Sequence, residues 1–363
     1  EVYNFRELRA ELRAKGHPFH SETDSEVVLR AYEQWGADCF DRFNGMFALA
    51  IWDARERRMI LARDAAGQKP LYYAYRPGKW LLLASTLAPL LRYAGSELDV
   101  DAEVVKDYVR FGFPPDTRAM LKDVYTVAPG TFTIVEQDSG PRSHPYFDLA
   151  AYAEQAPTRH GDERAVLEEF RGAMREAVRA RLVADVPLGA FLSGGLDSSL
   201  IVALMAEQAP DAVKTYTIGF DQAEFDESEH AARIAKHLGV QNTVRVLRGE
   251  DVLAQLKDLV RYFDEPMADY SALPTLAVAK LAREHVTVAL TGDGADEELG
   301  GYKYYLAQRT VEPYIRTVPT AARAALARRA PHVPSAGGRP NGARAGAGDP
   351  PHGFGRGGVD RGA

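Results

Sequence analysis

The sequence contains almost no cysteine and no long apolar run. Cys39 is the only cysteine among 363 residues, which excludes an intrachain disulfide framework and a zinc site built on paired cysteines. This use of cysteine favours a reducing compartment, and we expect the cytoplasm. No apolar stretch approaches the roughly 20 residues that a membrane span needs, and the charged first residues do not predict a signal peptide. We therefore expect no membrane partner.

Acidic residues outnumber basic residues outside the last segment of the chain. The formal net charge is −7, although residues 321–363 hold seven arginines against two aspartates, a net +5. The other residues, 1–320, therefore carry −12. Such an acidic body is poorly matched to nucleic acid, and we expect no nucleic-acid partner. Anionic ligands would need local donors or bound cations.

The first part of the chain keeps its helical and extended patterns in separate stretches. Apolar spacing predicts a helix over residues 4–14, and Thr23 with Glu26 has the spacing of a capping box at the start of a second helix. Four short apolar runs then predict neighbouring antiparallel strands: MFALAIWD, RMILARD, PLYYAY and KWLLLAS. Residues 1–150 are therefore predicted to form an α+β domain.

From about residue 157, helices and strands alternate along the chain. The apolar runs VPLGAFL, VKTYTIGF, TVRVL and HVTVALTG are separated by helical patterns. This alternation predicts an α/β domain over residues 160–320, with a parallel sheet covered by helices and a ligand site at the carboxyl ends of the strands. Residues 321–363 are rich in Gly, Ala, Pro and Arg and predict a disordered tail.

The motif SGGLDSS, residues 193–199, lies between a predicted strand and an apolar helix. Gly194 and Gly195 permit a tight turn and the close approach of an anion, and the free N–H groups of the helix start face the same point. Asp197 can hold a Mg²⁺ ion that bridges phosphate oxygens. Hydroxyl donors come from Ser193, Ser198 and Ser199. A helix cap is the alternative for a lone SGG, but the whole motif predicts a pyrophosphate or triphosphate site.

The same motif resembles the PP-loop of the ATP pyrophosphatase superfamily, whose members adenylate a substrate. Together with YTIGF, DEPMADYSALPT and LTGDGADEELGGYKYY, it resembles the Rossmann-like synthetase domain of glutamine-hydrolysing asparagine synthetases. The segments EVYNFRELRAEL, TDSEVVLRAYEQWG, NGMFALAIWD and LARDAAGQKPLYY resemble the N-terminal glutaminase domain of that family, an Ntn-type αββα sandwich. The resemblance covers residues 1–305 and implies ATP and magnesium as cofactors.

The resemblance also implies roles for matching residues. It implies ATP contacts along SGGLDSS and at Leu192, Ile218, Thr291 and Gly292. Asp197 and Asp296 match the carboxylates that hold magnesium and pyrophosphate, and Asp293 matches an acidic residue linked to formation of the aspartyl-adenylate. Asp24 matches the residue that holds the α-amino group of glutamine, although a carboxylate in a first helical turn is also favoured by the helix dipole.

The implied reaction converts aspartate to asparagine with ATP and with nitrogen from glutamine or ammonia. In the family, ammonia passes between the domains through a tunnel, and a homodimer is one assembly to test. An amide synthetase of β-lactam or peptide type, which uses another carboxylate, is an alternative. A non-catalytic remnant that binds nucleotide is another.

Two departures from the family pattern limit these expectations. The glutaminases of the family use an N-terminal cysteine, whereas this sequence begins at Glu1, and Cys39 follows a helix end without a nearby histidine. We therefore expect no glutaminase activity and weak, ammonia-dependent synthesis from a chain truncated at both ends. After GGYKYY no segment resembles the region that supplies the family's catalytic lysine, and the tail composition suggests an altered reading frame as a hypothesis.

Overall fold

The computed structural model of the chain describes residues 1–114, 117–137, 139–155, 161–209, 213–224, 226–319 and 322–323. The predicted tail, 321–363, lies outside these residues apart from 322–323. Residues Glu1–Ala295 form one compact unit and Asp296–Ala363 another. Within the described residues, no helix combines the length and the apolar character that crossing a membrane requires.

The first part of the chain, residues 1–155, consists of short helices and strands joined by turns. Its helices are α1 (Phe5–Ala14), α2 (Asp24–Trp35), α3 (Leu87–Ala94), α4 (Ala102–Phe111) and α5 (Leu149–Gln155), with 3₁₀ turns at Gly36–Arg42 and Gly95–Glu97. Its strands are β1 (Ala48–Asp53), β2 (Arg58–Arg63), β3 (Tyr72–Arg76), β4 (Trp80–Ala84), β5 (Val124–Thr126), β6 (Thr131–Glu136) and β7 (Gly140–Pro145).

These strands form two antiparallel sheets, with orders β1-β2-β6-β7 and β4-β3-β5. The predicted strands are present, and β1–β2 and β3–β4 pair as antiparallel neighbours. The expectation that all four are neighbours is wrong, because β6 takes the free edge of β2. Between β2 and β3, the buried Asp64 carboxylate accepts hydrogen bonds from the amides of Gln68 (2.8 Å) and Lys69 (3.0 Å), so the chain turns away from the first sheet.

The two sheets stack face to face between helices. In β2, Ile60 and Ala62 pack in the core beneath α1 and α2. Leu61, on the opposite face of the same strand, packs with Tyr73 of β3 in a core shared by both sheets. On the far face of the second sheet, Ala74 packs in the core with α3. The period of two along each strand thus produces four layers in the order helix, sheet, sheet, helix.

The predicted capping box at α2 forms only in part. Thr23 is the N-cap and its hydroxyl accepts from the amide of Glu26. The Glu26 carboxylate does not bond back to the cap residue; it accepts hydrogen bonds from the amides of His20 and Ser21 and from the Ser21 hydroxyl. The preceding loop has folded over the helix start, and it supplies these closer donors.

The second part of the chain alternates helices and strands as predicted. Its strands are β8 (Leu188–Phe191), β9 (Lys214–Phe220), β10 (Gln241–Leu247) and β11 (Val288–Leu290). Its helices are α6 (Glu163–Arg181), α7 (Leu196–Gln208), α8 (Ser228–Leu238), α9 (Gly249–Ala254), α10 (Leu256–Tyr262), α11 (Ala272–Arg283), α12 (Ala295–Leu299) and α13 (Lys303–Thr317). Helices α9 and α10 follow each other directly and are separated at Gln255.

The four strands form one parallel sheet in the order β10-β9-β8-β11. One face carries a core of β8 residues with helices α6, α7 and α8. The other face carries Tyr216 and Ile218 of β9 against α11. The central strands β8 and β9 are largely buried and read as apolar runs, whereas the edge strand β10 is mostly exposed.

Candidate active site

The strand order of the parallel sheet predicts where a ligand can enter. The chain runs outward from β8 to β9 and β10, and then returns to the other side of β8 as β11. The strand order therefore reverses between β8 and β11, and such a reversal favours a crevice at the carboxyl ends of these two strands. Both predicted motifs, SGGLDSS after β8 and TGD after β11, lie at this crevice.

Residues 192–199, which we call the phosphate-binding turn, join β8 to α7. Gly194 has a positive φ of 87°, and a Cβ there would lie 2.9 Å from both the Ala231 amide nitrogen and the His230 Cβ of α8. Gly195 is the N-cap of α7 and offers no side chain to cap it. The first-turn amides of a helix lack intrahelical acceptors, and a helix start without a side-chain cap is a possible anion site.

The three serine hydroxyls of the turn hold it together from inside. Ser198 is buried, and its hydroxyl accepts from the Ser193 amide (3.3 Å) and lies 3.0 Å from the Ser193 hydroxyl. The Ser199 hydroxyl donates to the Gly195 carbonyl (2.5 Å). The Ser193 hydroxyl accepts from the Gly195 amide (3.2 Å) on the exposed side of the turn. These contacts fix the backbone, so the turn is shaped before any ligand binds.

The second strand end packs directly against the start of α7. A Cβ on Gly292 would lie 2.7 Å from the Ser198 amide nitrogen and 3.0 Å from the Asp197 Cβ. The structure therefore brings together two motifs that are far apart in the sequence. The Thr291 hydroxyl donates to Asp293 Oδ2 (2.9 Å) and accepts from the Asp293 amide (3.3 Å), which holds this exposed carboxylate beside the strand end.

The Asp197 carboxylate is open. It is partly exposed in the first turn of α7, and across the described ranges no hydrogen bond or ion pair engages its oxygens. No three His, Cys, Asp or Glu side chains group together as a metal cage in the part of the chain that is described. A single open carboxylate fits Mg²⁺, which binds proteins through one or two carboxylates and takes its other ligands from phosphate and water.

Asp296 belongs to the second unit. A Cβ on Gly301 would meet the Asp296 carboxylate, and the Gly301 amide donates to the Asp296 carbonyl (2.9 Å). A larger residue at position 301 would therefore displace the Asp296 side chain. The magnesium role of Asp296 stays a prediction.

The two apolar positions predicted beside the nucleotide lie on opposite faces of the sheet. The Leu192 side chain is buried in the core with α7 and α8. Ile218 is partly buried in the core with α11. The backbone of Leu192 faces β9: its amide donates to the Tyr216 carbonyl (3.0 Å), and its carbonyl accepts from the Thr217 hydroxyl (2.7 Å).

The predicted glutamine-binding residue lies in the N-terminal part. Asp24 is the first residue of α2, and its Oδ2 accepts from the Val2 amide (3.0 Å). Cys39 is fully buried in the core with α1 and α2, and burial raises the pKa of its thiol to about 12. A thiol in this environment is neither accessible nor ionised at neutral pH, as an attacking nucleophile must be.

A loop of the second part docks on the first part through two carboxylates. Glu265 accepts from the Tyr72 hydroxyl (3.0 Å) through one oxygen and from the Met120 amide (2.6 Å) through the other. Asp264 accepts from the Ala88 amide (2.9 Å). Burial and the neighbouring Glu265 carboxylate raise the pKa of Tyr72. The sequence analysis did not predict a role for Asp264 and Glu265. Two acidic residues followed by a proline in a loop were a signal that could have pointed to them.

A cavity of about 530 Å³ lies beside these contacts. Its walls come from both parts of the chain and include Pro70, Thr86 and Phe113 on one side and Phe263, Pro266 and Met267 on the other. The cavity shows that the contact between the two parts leaves space next to the carboxylates.

Two family models match the chain in succession. The model described as Glutamine amidotransferase domain matches residues 1–147. The model described as Asparagine synthase matches residues 169–347. The first match covers the two antiparallel sheets, and the second covers the parallel sheet with both strand ends of the crevice.

Curated relatives match over most of the chain. Asparagine synthetase (glutamine-hydrolyzing) 1 of Bacillus subtilis (strain 168) is 36% identical over 316 residues, covering 87% of this chain and 49% of that protein. Putative asparagine synthetase (glutamine-hydrolyzing) 2 of Methanocaldococcus jannaschii is 32% identical, covering 88% and 61%. Amidase chry2 of Gibberella zeae is 30% identical, covering 86% and 48%. The chain thus spans about half to three-fifths of the length of these relatives.

Proposed function

The chain belongs to the asparagine synthetase family, in which a glutamine amidotransferase domain precedes a synthetase domain, and from this premise we propose that it forms an amide from a carboxylate and ATP. The observation that carries the proposal is the crevice between β8 and β11. There, an uncapped helix start, two glycines and an open carboxylate meet the end of a second strand. These are the groups that a triphosphate requires.

We propose that the substrate carboxylate attacks the α-phosphorus of ATP and displaces pyrophosphate, which gives an acyl-adenylate. Negative charge then develops on the leaving pyrophosphate. The free amides at the start of α7 lie where they can stabilise this charge, and fixed donors need no reorganisation during the reaction. With aspartate as the substrate, ammonia would displace AMP and give asparagine. Asp293, held by Thr291, is the candidate for positioning the reacting groups.

Asp197 is the candidate ligand for magnesium. When bound, the ion would neutralise charge on the phosphate oxygens and so favour departure of pyrophosphate. The role of Asp197 is to hold that charge at the mouth of the turn, where its open oxygens can reach a ligand. Asp296 remains the proposed second carboxylate.

The nitrogen source is proposed to be ammonia for the 363-residue chain. Its only thiol is the buried Cys39, whose raised pKa disfavours the thiolate. Asp24 is proposed to hold the amino group of glutamine in a protein with a competent nucleophile. The cavity between the two parts supports a route by which ammonia reaches the crevice.

The layer order of the first part supports an Ntn-type domain over residues 1–150, followed by the synthetase domain over 160–320. A cytoplasmic location and a homodimer remain predictions.

A second candidate function is amide synthesis on a different carboxylate. This alternative is kept because amidase chry2 matches the chain at 30% sequence identity and is not named an asparagine synthetase. A remnant that binds nucleotide without catalysis is the third candidate.

The proposal is tested by exchange of labelled pyrophosphate into ATP in the presence of a panel of carboxylates. Exchange that depends on aspartate supports asparagine synthesis, and exchange that depends on another carboxylate supports the second candidate. Binding of Mg·ATP without exchange supports the remnant. Absence of nucleotide binding would overturn the proposed site.

A matched pair of glycine variants shows whether exchange uses the crevice. Gly292→Ala places a methyl group against the Ser198 amide and should abolish exchange. Gly172→Ala, on α6, meets nothing within 4 Å and should leave exchange unchanged. Equal loss in both variants would show that the effect is general destabilisation.

A further inference from the structure

A cluster of polar side chains lies on one face of the parallel sheet and contacts Leu192, the first residue of the phosphate-binding turn. Thr215 and Thr217 point to one face of β9 and are 0% and 1% exposed. Asn242 of β10 pairs with Thr215 in the strand register. One terminal atom of its side-chain amide, assigned as Oδ1, lies 3.0 Å from each threonine hydroxyl. The other, Nδ2, is buried without a partner among the described residues.

Each threonine hydroxyl has one proton, and a carbonyl competes for it. The Thr217 hydroxyl lies 2.7 Å from the Leu192 carbonyl oxygen, and the Thr215 hydroxyl lies 2.9 Å from the Gln241 carbonyl oxygen. Carbonyl oxygens only accept. If both hydroxyls donate to these carbonyls, no proton remains for an amide oxygen, and the atom that faces both hydroxyls must itself be the donor.

A half-turn of the Asn242 amide satisfies this requirement. It places the NH₂ group, with two protons, 3.0 Å from the two hydroxyl oxygens, and it removes the buried nitrogen without a partner. Four hydrogen bonds then replace two, and one buried acceptor is left free. Nitrogen and oxygen of an amide are assigned from the hydrogen-bond network, and buried donors without partners are rarer than buried acceptors without partners.

We propose that Asn242 donates to both threonines and, through Thr217, orients the Leu192 carbonyl, which makes it a positioning residue for the phosphate-binding turn. Leu192 is clamped by β9 at both backbone groups, since its amide donates to the Tyr216 carbonyl. The plane of the Leu192–Ser193 peptide is thereby fixed. The Ser193 amide, in that same plane, donates to Ser198 at the start of α7. The positioning role rests on the proposed function.

Two buried threonines on one strand provide a matched pair of variants. Thr217→Val removes the hydroxyl that reaches Leu192, and Thr215→Val removes a hydroxyl of equal burial that does not. We expect Thr217→Val to weaken binding of Mg²⁺ with a non-hydrolysable ATP analogue by about 10-fold, and Thr215→Val to change it by less than about 3-fold. Thr217→Ser should restore the affinity. Equal weakening by both valine variants, at equal loss of thermal stability, would overturn the positioning role.

The orientation of the amide is tested without any ligand. Asn242 side-chain N–H protons that donate to buried hydroxyls should exchange slowly with solvent in a ¹⁵N-resolved spectrum, and exchange should accelerate in both valine variants. Asn242→Asp, which cannot donate, should weaken analogue binding like Thr217→Val. Exchange as fast as in an unfolded peptide would refute the orientation. If the wild-type chain does not bind the analogue but the protons are protected, the proposed function fails while the hydrogen-bond network stands.

Discussion

Carboxylates are used in opposite ways in the two regions of this protein. In the antiparallel N-terminal part, Asp64 is 1% exposed and accepts from the backbone amides of Phe47, Gln68 and Lys69. At the carboxyl edge of the parallel sheet, Asp197 is partly exposed, and nothing in the described ranges bonds to its oxygens. A carboxylate saturated by the chain's own amides holds a loop, whereas one left open at a strand end is available to a ligand.

The largest effect on activity is expected when the open carboxylate of Asp197 is removed. We expect Asp197→Asn to lower pyrophosphate exchange by about 1,000-fold, because the charge that would hold magnesium is lost. Its effect on stability should stay below about 1 kcal/mol, since only a helix-dipole interaction disappears. Glu207→Gln, at the other end of α7, is the control and should retain exchange. An Asp197→Asn variant that exchanges normally would contradict the assignment.

The reverse result is expected at the saturated carboxylate. Asp64→Asn keeps the shape but turns an acceptor into a donor that faces buried amides, so the free energy of unfolding should fall by about 3 kcal/mol. Urea titration followed by tryptophan fluorescence measures this change. Asp148→Asn, at an exposed cap of α5, keeps a side-chain oxygen that can accept from the same two amides and should cost less than about 1 kcal/mol. Equal losses in the free energy of unfolding for Asp64→Asn and Asp148→Asn would show that burial does not decide the size of the effect.

Glu265 extends this comparison, because its carboxylate lies in the second part of the chain and accepts both of its hydrogen bonds from the first part. Gln has one acceptor oxygen, so in Glu265→Gln that oxygen can accept from the Met120 amide while the Tyr72 hydroxyl accepts from the NH₂ group, and a neutral hydrogen bond replaces the bond to a carboxylate. A double-mutant cycle with Tyr72→Phe should give a coupling energy of about 1 kcal/mol. We also expect the two parts to unfold at more widely separated urea concentrations. A coupling energy near zero would mean that the hydrogen bond to Tyr72 does not fasten the parts.

The smallest effect is expected from a saturated carboxylate at the surface. Hydrogen bonds from the Ser21 hydroxyl and from the His20 and Ser21 amides lower the pKa of Glu26 from 4.5 to about 2. Because the pKa is lower in the folded state, the stability it contributes is present above about pH 4.5 and is lost as the pH falls towards 2. The difference in urea midpoint between wild type and Glu26→Gln should therefore shrink on acidification. A constant difference for Glu26→Gln over this pH range would refute the pKa shift.

The parallel sheet was more predictable than the antiparallel part because its signals are local. The motif after β8 and the apolar runs of the largely buried strands β8 and β9 could be recognised in the sequence, and their alternation with helical patterns indicated the sheet. The pairing of β2 with β6 joins segments about 70 residues apart, and no turn between them indicates it. Asn242 and Thr217 also interact across strands, although threonines two positions apart in an apolar run were a usable signal of a buried polar cluster.

The distance along the chain between the two strand ends has a consequence for biosynthesis. Ser198 and Gly292 lie against each other in the folded protein but are separated by 94 positions in the chain. A ribosome adds about 5–20 residues per second, so the start of α7 waits roughly 5–20 seconds for its neighbour to emerge. Under the proposed function, ATP therefore could not guide the nascent first strands; it would favour only the finished sheet, by binding to it once β11 has been inserted.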